Sequence, residues 1–548
     1  MVNLNRAKKN YGTGSKSFMS GVLILSLSTV IVKVTGLAYK IPMIAYLGAE
    51  GMGYFNSAYE IYALLCIIST AGLPVALSML VSASRERGEG SRGIYRSAMR
   101  LFFFMGLAGS TLMFILARQI CAFIKNENAL YCIISISPAL LFVCISSAVR
   151  GFFQGFGYMT PTAVSQLIEA VGKLVLGILF ARYALTKGYD IPTVAAFAVA
   201  GLMLGTLVSA LYLLIIKKSK SGFSAAGIEK NEGGVAKTLL RIAFPITVGA
   251  AVLGITKIVD MTLIMRRLQD IGFSPTDANE IYGSYTTLAV PIFSLIPSLL
   301  TPISLALVPQ LAAAVEKRSS EEQSEVVANS IRLTVLCAMP ATLGISVYAR
   351  EITSLLFPNE KEAITIAAPL LSILGASILF ACLITTSNAV LQSYRKTVKP
   401  IVSTVIGASV KIVAAYIMIG IPGLGVYGAP ISTFLCNLTI TVLNIFFILK
   451  LVPKNESIAK IYLKPFFASA LAILVSVAVY LPAFYLIGGV SIPLVLAILS
   501  AAAAYVVFAL LFGIFTKSDA LMLPKGEKLV AFYVRLSVKK KEKKIKTN

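Results

Sequence analysis

Four lysines lie where a charge is costly. Lys33, Lys173, Lys257 and Lys411 each sit about 11 to 16 residues inside a long apolar run. At about 1.5 Å per helical residue this places them roughly 16–25 Å from the end of the run, inside a hydrocarbon core about 30 Å thick. Insertion scales put one central lysine at about 2.5–3.5 kcal/mol. Four such groups facing lipid would be hard to tolerate, so a shared, water-filled cavity is expected to receive them. A cavity of net positive charge suits an anion, and a phosphate or diphosphate in particular. The alternative is internal pairing. Glu169 and Lys173 stand at i,i+4, and Lys257 and Asp260 at i,i+3, both spacings that bring side chains together on a helix. Lys33 and Lys411 have no acidic neighbour at helical spacing. Glu60 is the other acid within an apolar run and could pair with any of the four.

Further polar side chains accompany the lysines. Arg150 stands near the end of its run, where its long stem could carry the charge out to water. Lys40 is expected to reach the outer interface. Both are also candidates for holding the anion. Gln166, three residues before Glu169, could line the cavity or join two helices by a hydrogen bond. Glu60, Gln166, Glu169 and Asp260 form the polar set that would line the cavity or couple transport to an ion.

Nothing in the chain points to catalysis. There is no histidine, which removes His-ligated metals and His general bases. The seven cysteines are scattered, without a CxxC pair, and read as small core residues. No GxxxxGK[ST] motif offers a nucleotide-phosphate loop. The expectation is a transporter without cofactor or metal. An ion gradient, the membrane potential or the substrate's own gradient would drive it.

The elements that position these residues follow from composition. Of 548 residues, 57% are hydrophobic and 13% charged, and the mean hydropathy is +0.84. Soluble domains carry about 25% charged residues, so this is an integral membrane protein. Its apolar runs have the length of helices and are too long for barrel strands. Fourteen spans are expected, at about 18–47, 54–84, 93–119, 129–151, 161–186, 191–217, 240–266, 281–314, 327–350, 363–391, 400–420, 425–450, 462–486 and 491–515. The first reads as an uncleaved helix, with no A-x-A cleavage site. With the N-terminus in the cytoplasm, 35 of the 49 Lys and Arg fall on the cytoplasmic side and 8 on the other. That asymmetry places both termini inside. The net charge of +25 is then mainly a topology signal and not a nucleic-acid footprint. The basic ending RLSVKKKEKKIKTN would lie against anionic headgroups.

The chain also repeats itself. Lys33 to Gly48 and Lys257 to Gly272 are both 15 residues apart, and Tyr54 to Pro74 and Tyr282 to Pro302 both 20. Gln154, Pro161 and Lys173 match Gln392, Pro400 and Lys411 with one-residue gaps. Two homologous six-helix bundles are expected, residues 1–225 and 226–455, related by an axis along the membrane normal. Two additional helices follow at 456–516, then a basic cytoplasmic tail at 517–548.

The stretches GLAYKIPMIAYLGAEGMGYFNSAYEIYALLCIISTAGLPVALSMLVS and RGFFQGFGYMTPTAVSQLIEAVGK resemble the stage V sporulation protein B family. These are polysaccharide-biosynthesis-type transporters of the multidrug/oligosaccharidyl-lipid/polysaccharide exporter superfamily, related to the lipid II flippases. The resemblance covers about residues 15–515. It implies two six-helix bundles in a V, with two added helices forming a groove for a lipid tail. It implies a flippase in the bacterial cytoplasmic membrane for undecaprenyl-diphosphate-linked saccharides, of the peptidoglycan-precursor type. Where lipid II flippases carry an SRxxGxxRD-like pattern, this chain has VKVTGLAYKI, with Lys33 for the first Arg and Tyr39-Lys40 for the Arg-Asp pair. Cys66 stands where they carry an Arg on the second helix. The competing readings are a drug or cation antiporter of the same superfamily, which would use carboxylates, and a non-transporting scaffold for wall or spore-coat synthesis, which would need no deep charge.

Overall fold

The structure, a computed structural model, describes residues 2–87, 89–219, 234–452 and 458–514. The basic tail expected at 517–548 lies outside the described residues. Among those residues there is no strand. In chain order the helices are α1 (Val2–Thr70), α2 (Leu73–Glu86), α3 (Arg92–Ile115), α4 (Ala117–Ile124), α5 (Leu130–Ile136), α6 (Ala139–Gly155), α7 (Thr160–Thr186), α8 (Ile191–Ser219), α9 (Val235–Asp270), α10 (Pro275–Ser284), α11 (Val290–Glu316), α12 (Ser320–Val347), α13 (Ala349–Leu356), α14 (Lys361–Ser393), α15 (Val398–Ile419), α16 (Gly428–Leu449), α17 (Ile458–Ile487) and α18 (Ser491–Leu511). A π-helical turn, Tyr285–Ala289, joins α10 to α11.

Among the described residues, 12 helices are long and apolar enough to cross a membrane, or 13 when the two arms of α9, bent by 40° between Val248 and Ala250, count as one span. One of the 12, Ile31–Arg85, is 55 residues long. At 1.5 Å per residue it measures roughly 80 Å, enough to cross a 30 Å core twice. The expected gap at 48–53 is helical, because the chain breaks at one residue only: Gly48 has φ 64° and ψ 179° within α1, a conformation open to glycine without steric cost.

The described residues pack as two compact units. One comprises Met1–Leu295, Phe357–Leu370 and Thr404–Cys436. An apolar core here joins Leu77 and Val81 of α2, Tyr95 and Phe102 of α3, Phe152 of α6, Leu213 of α8 and Leu239 of α9. In lipid, apolar burial does not drive helices together, and close backbone packing takes its place. α8 carries that signal as Gly201-Leu-Met-Leu-Gly205. A Cβ at Gly201 would stand 2.5 Å from the backbone nitrogen of Gly177, and one at Gly205 would stand 2.7 Å from that of Lys173. The α7–α8 crossing is therefore close at the very turn that carries Lys173.

The other unit comprises Ile296–Leu356, Leu371–Ser403 and Asn437–Asn548. Leu307 and Leu311 of α11, Val390 of α14 and Ile448 of α16 form its core. Side-chain amides hold α14 to α16: Asn437 Nδ2 donates to Ser377 Oγ at 2.8 Å, and Asn444 Nδ2 to Asn388 Oδ1 at 2.8 Å. α17 docks through Tyr348 and Ser476, whose hydroxyls are 2.7 Å apart.

Candidate functional site

A cavity of about 580 Å³ lies within the first unit. Both arms of α1 line it, with α6, α7, α9 and the π turn leading into α11. Eight of the ten residues singled out from the sequence are on its wall: Lys33, Lys40, Arg150, Lys173 and Lys257, with Glu60, Gln166 and Glu169. Five cations against two carboxylates give a formal charge of +3. Lys411 and Asp260 do not line it.

The acids are arranged in three ways. Glu169 is held from both sides. Its Oε2 accepts from Arg150 Nη2 at 2.9 Å, and its Oε1 accepts from Lys173 Nζ at 2.8 Å. Arg150 also donates to the Ser165 hydroxyl at 2.9 Å and the Ser209 hydroxyl at 3.2 Å. It does not snorkel out: three acceptors inside the protein replace the water it would otherwise seek. Glu60 Oε2 lies 3.6 Å from Lys257 Nζ, beyond hydrogen-bond reach, and has no hydrogen bond among the described residues. Asp260 accepts from Lys411, 151 residues away, on side chains only 24% and 12% exposed. The expected i,i+3 pair Lys257–Asp260 gives way to these two long-range pairs. Asp260 takes the ammonium of α15, and Lys257 turns to Glu60.

Lys40, expected to reach outward, is held by the wall of the cavity. Its Nζ donates to the carbonyl of Thr286 at 2.7 Å. Thr286 lies in the π-helical turn, and π turns leave backbone groups for side chains or ligands and recur at functional sites. Asn56 braces the same turn, donating to Thr286 Oγ1 at 3.0 Å and Thr287 Oγ1 at 2.8 Å. Gln166 accepts from Ser28 Oγ at 3.3 Å, so it both lines the cavity and joins α7 to α1.

Sequence reasoning missed Asn56, Thr286, Phe55 and Tyr59, and met Tyr39 only through the family resemblance; all five are on the wall. Four polar or aromatic residues within YFNSAYE, at 55, 56, 59 and 60, follow i,i+4 spacing and carried the signal. No cluster of three or more metal-ligating His, Cys, Asp or Glu occurs among the described residues.

These features define the class: a multi-pass, all-helical membrane protein with a cation-rich cavity lined by its helices. The chain belongs to the polysaccharide biosynthesis protein family, which it matches over residues 18–315. Residues 284–417 also match the MatE family. The chain is 25% identical over 523 residues to stage V sporulation protein B of Bacillus subtilis (strain 168), covering 93% of this chain and 98% of that one. It is 26% identical over 421 residues to lipid II flippase MurJ of the same organism, covering 73% and 77%. Among solved structures, lipid II flippase MurJ in an inward closed conformation superposes with a TM-score of 0.67 at 16% identity, over 89% of this chain and 98% of that one. The fold is that of the exporter superfamily.

Proposed function

We propose that this protein is a flippase for undecaprenyl-diphosphate-linked saccharides, of the peptidoglycan-precursor type, in the bacterial cytoplasmic membrane. One observation carries the reading: a cavity of formal charge +3 lined by helices long and apolar enough to cross a membrane. A diphosphate diester brings about two negative charges, which this wall would neutralise in place of water. The names of the relatives support a lipid-linked cargo. The headgroup would pass through the cavity by alternating access while the polyprenyl tail stays in lipid along α17 and α18. The two sequence repeats would supply the moving halves, both termini would lie in the cytoplasm, and the tail would rest on anionic lipid. A coupling ion or the membrane potential would supply the drive. Substrate contacts fall to Lys33, Lys40, Lys173, Lys257 and Arg150. Lys411 acts at a distance, through Asp260.

The rival is a cation or drug antiporter, favoured by Glu60 and the MatE match. Ligand-induced stabilisation separates the two. A ligand that binds only the folded state at 100 times its Kd stabilises by about 2.7 kcal/mol. Undecaprenyl diphosphate should raise the unfolding temperature of the purified protein, and tetraphenylphosphonium should not. The reverse pattern would favour the antiporter and refute the proposal.

A further inference from the structure

The cavity wall has two chemistries, and only one of them suits phosphate. Helix α1 turns one face to the cavity through Phe55, Asn56, Tyr59 and Glu60, and Tyr39 joins them from its earlier arm. The rings form a ladder. Tyr39 and Phe55 have centroids 6.0 Å apart, Phe55 and Tyr59 are stacked at 6.4 Å with planes 11° apart, and Tyr59 meets Tyr62 at 6.0 Å. Phe55 is 3% exposed and Tyr39 7%, so they back the wall. Tyr59 is only partly buried and lines the cavity.

Beside the tyrosine hydroxyls, which can donate or accept, the polar side chains of this face are an amide and a carboxylate. Asn56 spends its amide hydrogens on Thr286 and Thr287, which leaves Oδ1 as its remaining polar atom. Glu60 is a carboxylate whose ammonium neighbour stands at 3.6 Å. An ionised phosphate has no hydrogen to donate, and the Glu60 carboxylate on this face repels it. A saccharide is the complement on both counts. Its hydroxyl and amide hydrogens are donors for the half-buried Glu60, while Asn56, 5% exposed, backs the wall with Phe55. The C–H face of its ring is apolar and faintly positive, which suits the negative face of an aromatic ring.

Resting on the flippase reading above, we infer that Phe55, Asn56, Tyr59 and Glu60 form a saccharide subsite beside the cationic one, with Tyr59 the ring on which the first sugar stacks. The two subsites then read the two parts of one headgroup, and Tyr59 selects for cargo that carries a sugar.

The test measures binding of two probes to the full-length protein by native mass spectrometry. One is undecaprenyl diphosphate without sugar, and the other is the same lipid carrying a disaccharide pentapeptide. Tyr59→Leu should weaken the saccharide-bearing lipid by about tenfold, the order an aromatic contact supplies, and leave the sugarless lipid unchanged. Tyr59→Phe, which keeps the ring, should bind both like the parent. Unchanged affinity for the sugarless lipid also shows that the variant is folded. If Tyr59→Leu weakens both lipids equally, or neither, the saccharide subsite is wrong while the flippase reading stands. If the parent binds neither lipid, the flippase reading fails, and the subsite with it.

Discussion

Replacing Glu169 should do more damage than replacing either cation that holds it. Its carboxylate is 16% exposed and stands between Arg150 at 2.9 Å and Lys173 at 2.8 Å. In Lys173→Met the carboxylate keeps Arg150, so the loss is one charge-assisted hydrogen bond, about 1.5–3 kcal/mol. In Glu169→Gln both cations stay, on side chains 14% and 22% exposed, without a counter-charge. Leaving a buried charge uncompensated costs about 3–5 kcal/mol. Opening to the cavity lets some water reach the pair, which favours the lower end. Adding Lys173→Met to Glu169→Gln removes one of the stranded charges, so the double variant should be more stable than Glu169→Gln alone. Thermal unfolding in one detergent, followed as loss of monodisperse protein, gives the ranking: parent, then Lys173→Met, then the double variant, then Glu169→Gln. A Glu169→Gln protein as stable as the parent, or a Lys173→Met protein less stable than Glu169→Gln, would refute the bracketed-carboxylate account.

Other parts of the structure give equally definite expectations. Lys411→Met should destabilise by about 3–5 kcal/mol because it strands Asp260, and Asp260→Asn should recover most of it. Affinity for undecaprenyl diphosphate should stay parental in that double variant, and a tenfold loss would return Lys411 to the binding site. Gly205→Ala places a Cβ 2.7 Å from the Lys173 nitrogen, and overpacking of this kind costs about 1–3 kcal/mol. Its thermal midpoint should fall, and parental stability would show that α7 and α8 can separate freely. Cys121 lies in α4, between the spans, and burial pushes its thiol up to about 11. The thiolate is the reactive form, so a maleimide at pH 7 should leave Cys121 unmodified in the folded protein and react after denaturation. Rapid native labelling would contradict its burial.

How much of this the sequence carried depended on where each partner lay. Glu169 and Lys173 share a helix at i,i+4, so their pairing was legible and holds at 2.8 Å. Lys257–Asp260 had equally good spacing and does not form. A lysine has a long, flexible stem, and tertiary neighbours on other helices supplied Glu60 for Lys257 and Lys411 for Asp260. Helical periodicity has no access to partners 151 residues away. Arg150 read as a snorkelling end-of-helix residue because Ser165 and Ser209 reach it from α7 and α8. The partner of Lys40 was hidden for a similar reason: its acceptor is a backbone carbonyl in a π turn, and such a turn leaves no pattern in residue type. The membrane class and the helical fold were plain from the apolar runs. The joint at Gly48 was not, since the stretch between the first two expected spans stays helical on both sides of one residue.

If the cationic cavity carries a lipid-linked diphosphate across the membrane, leaflet exchange in proteoliposomes reads it, with a fluorescent undecaprenyl-diphosphate disaccharide pentapeptide scored by quenching from outside. The parent should expose the probe. Lys33→Met, at equal protein, should slow exchange by about tenfold or more, the worth of one charge-assisted contact, and Lys33→Arg should keep part of the rate. A parent that leaves the probe in its leaflet, or a Lys33→Met protein that moves it at the parental rate, would contradict the account.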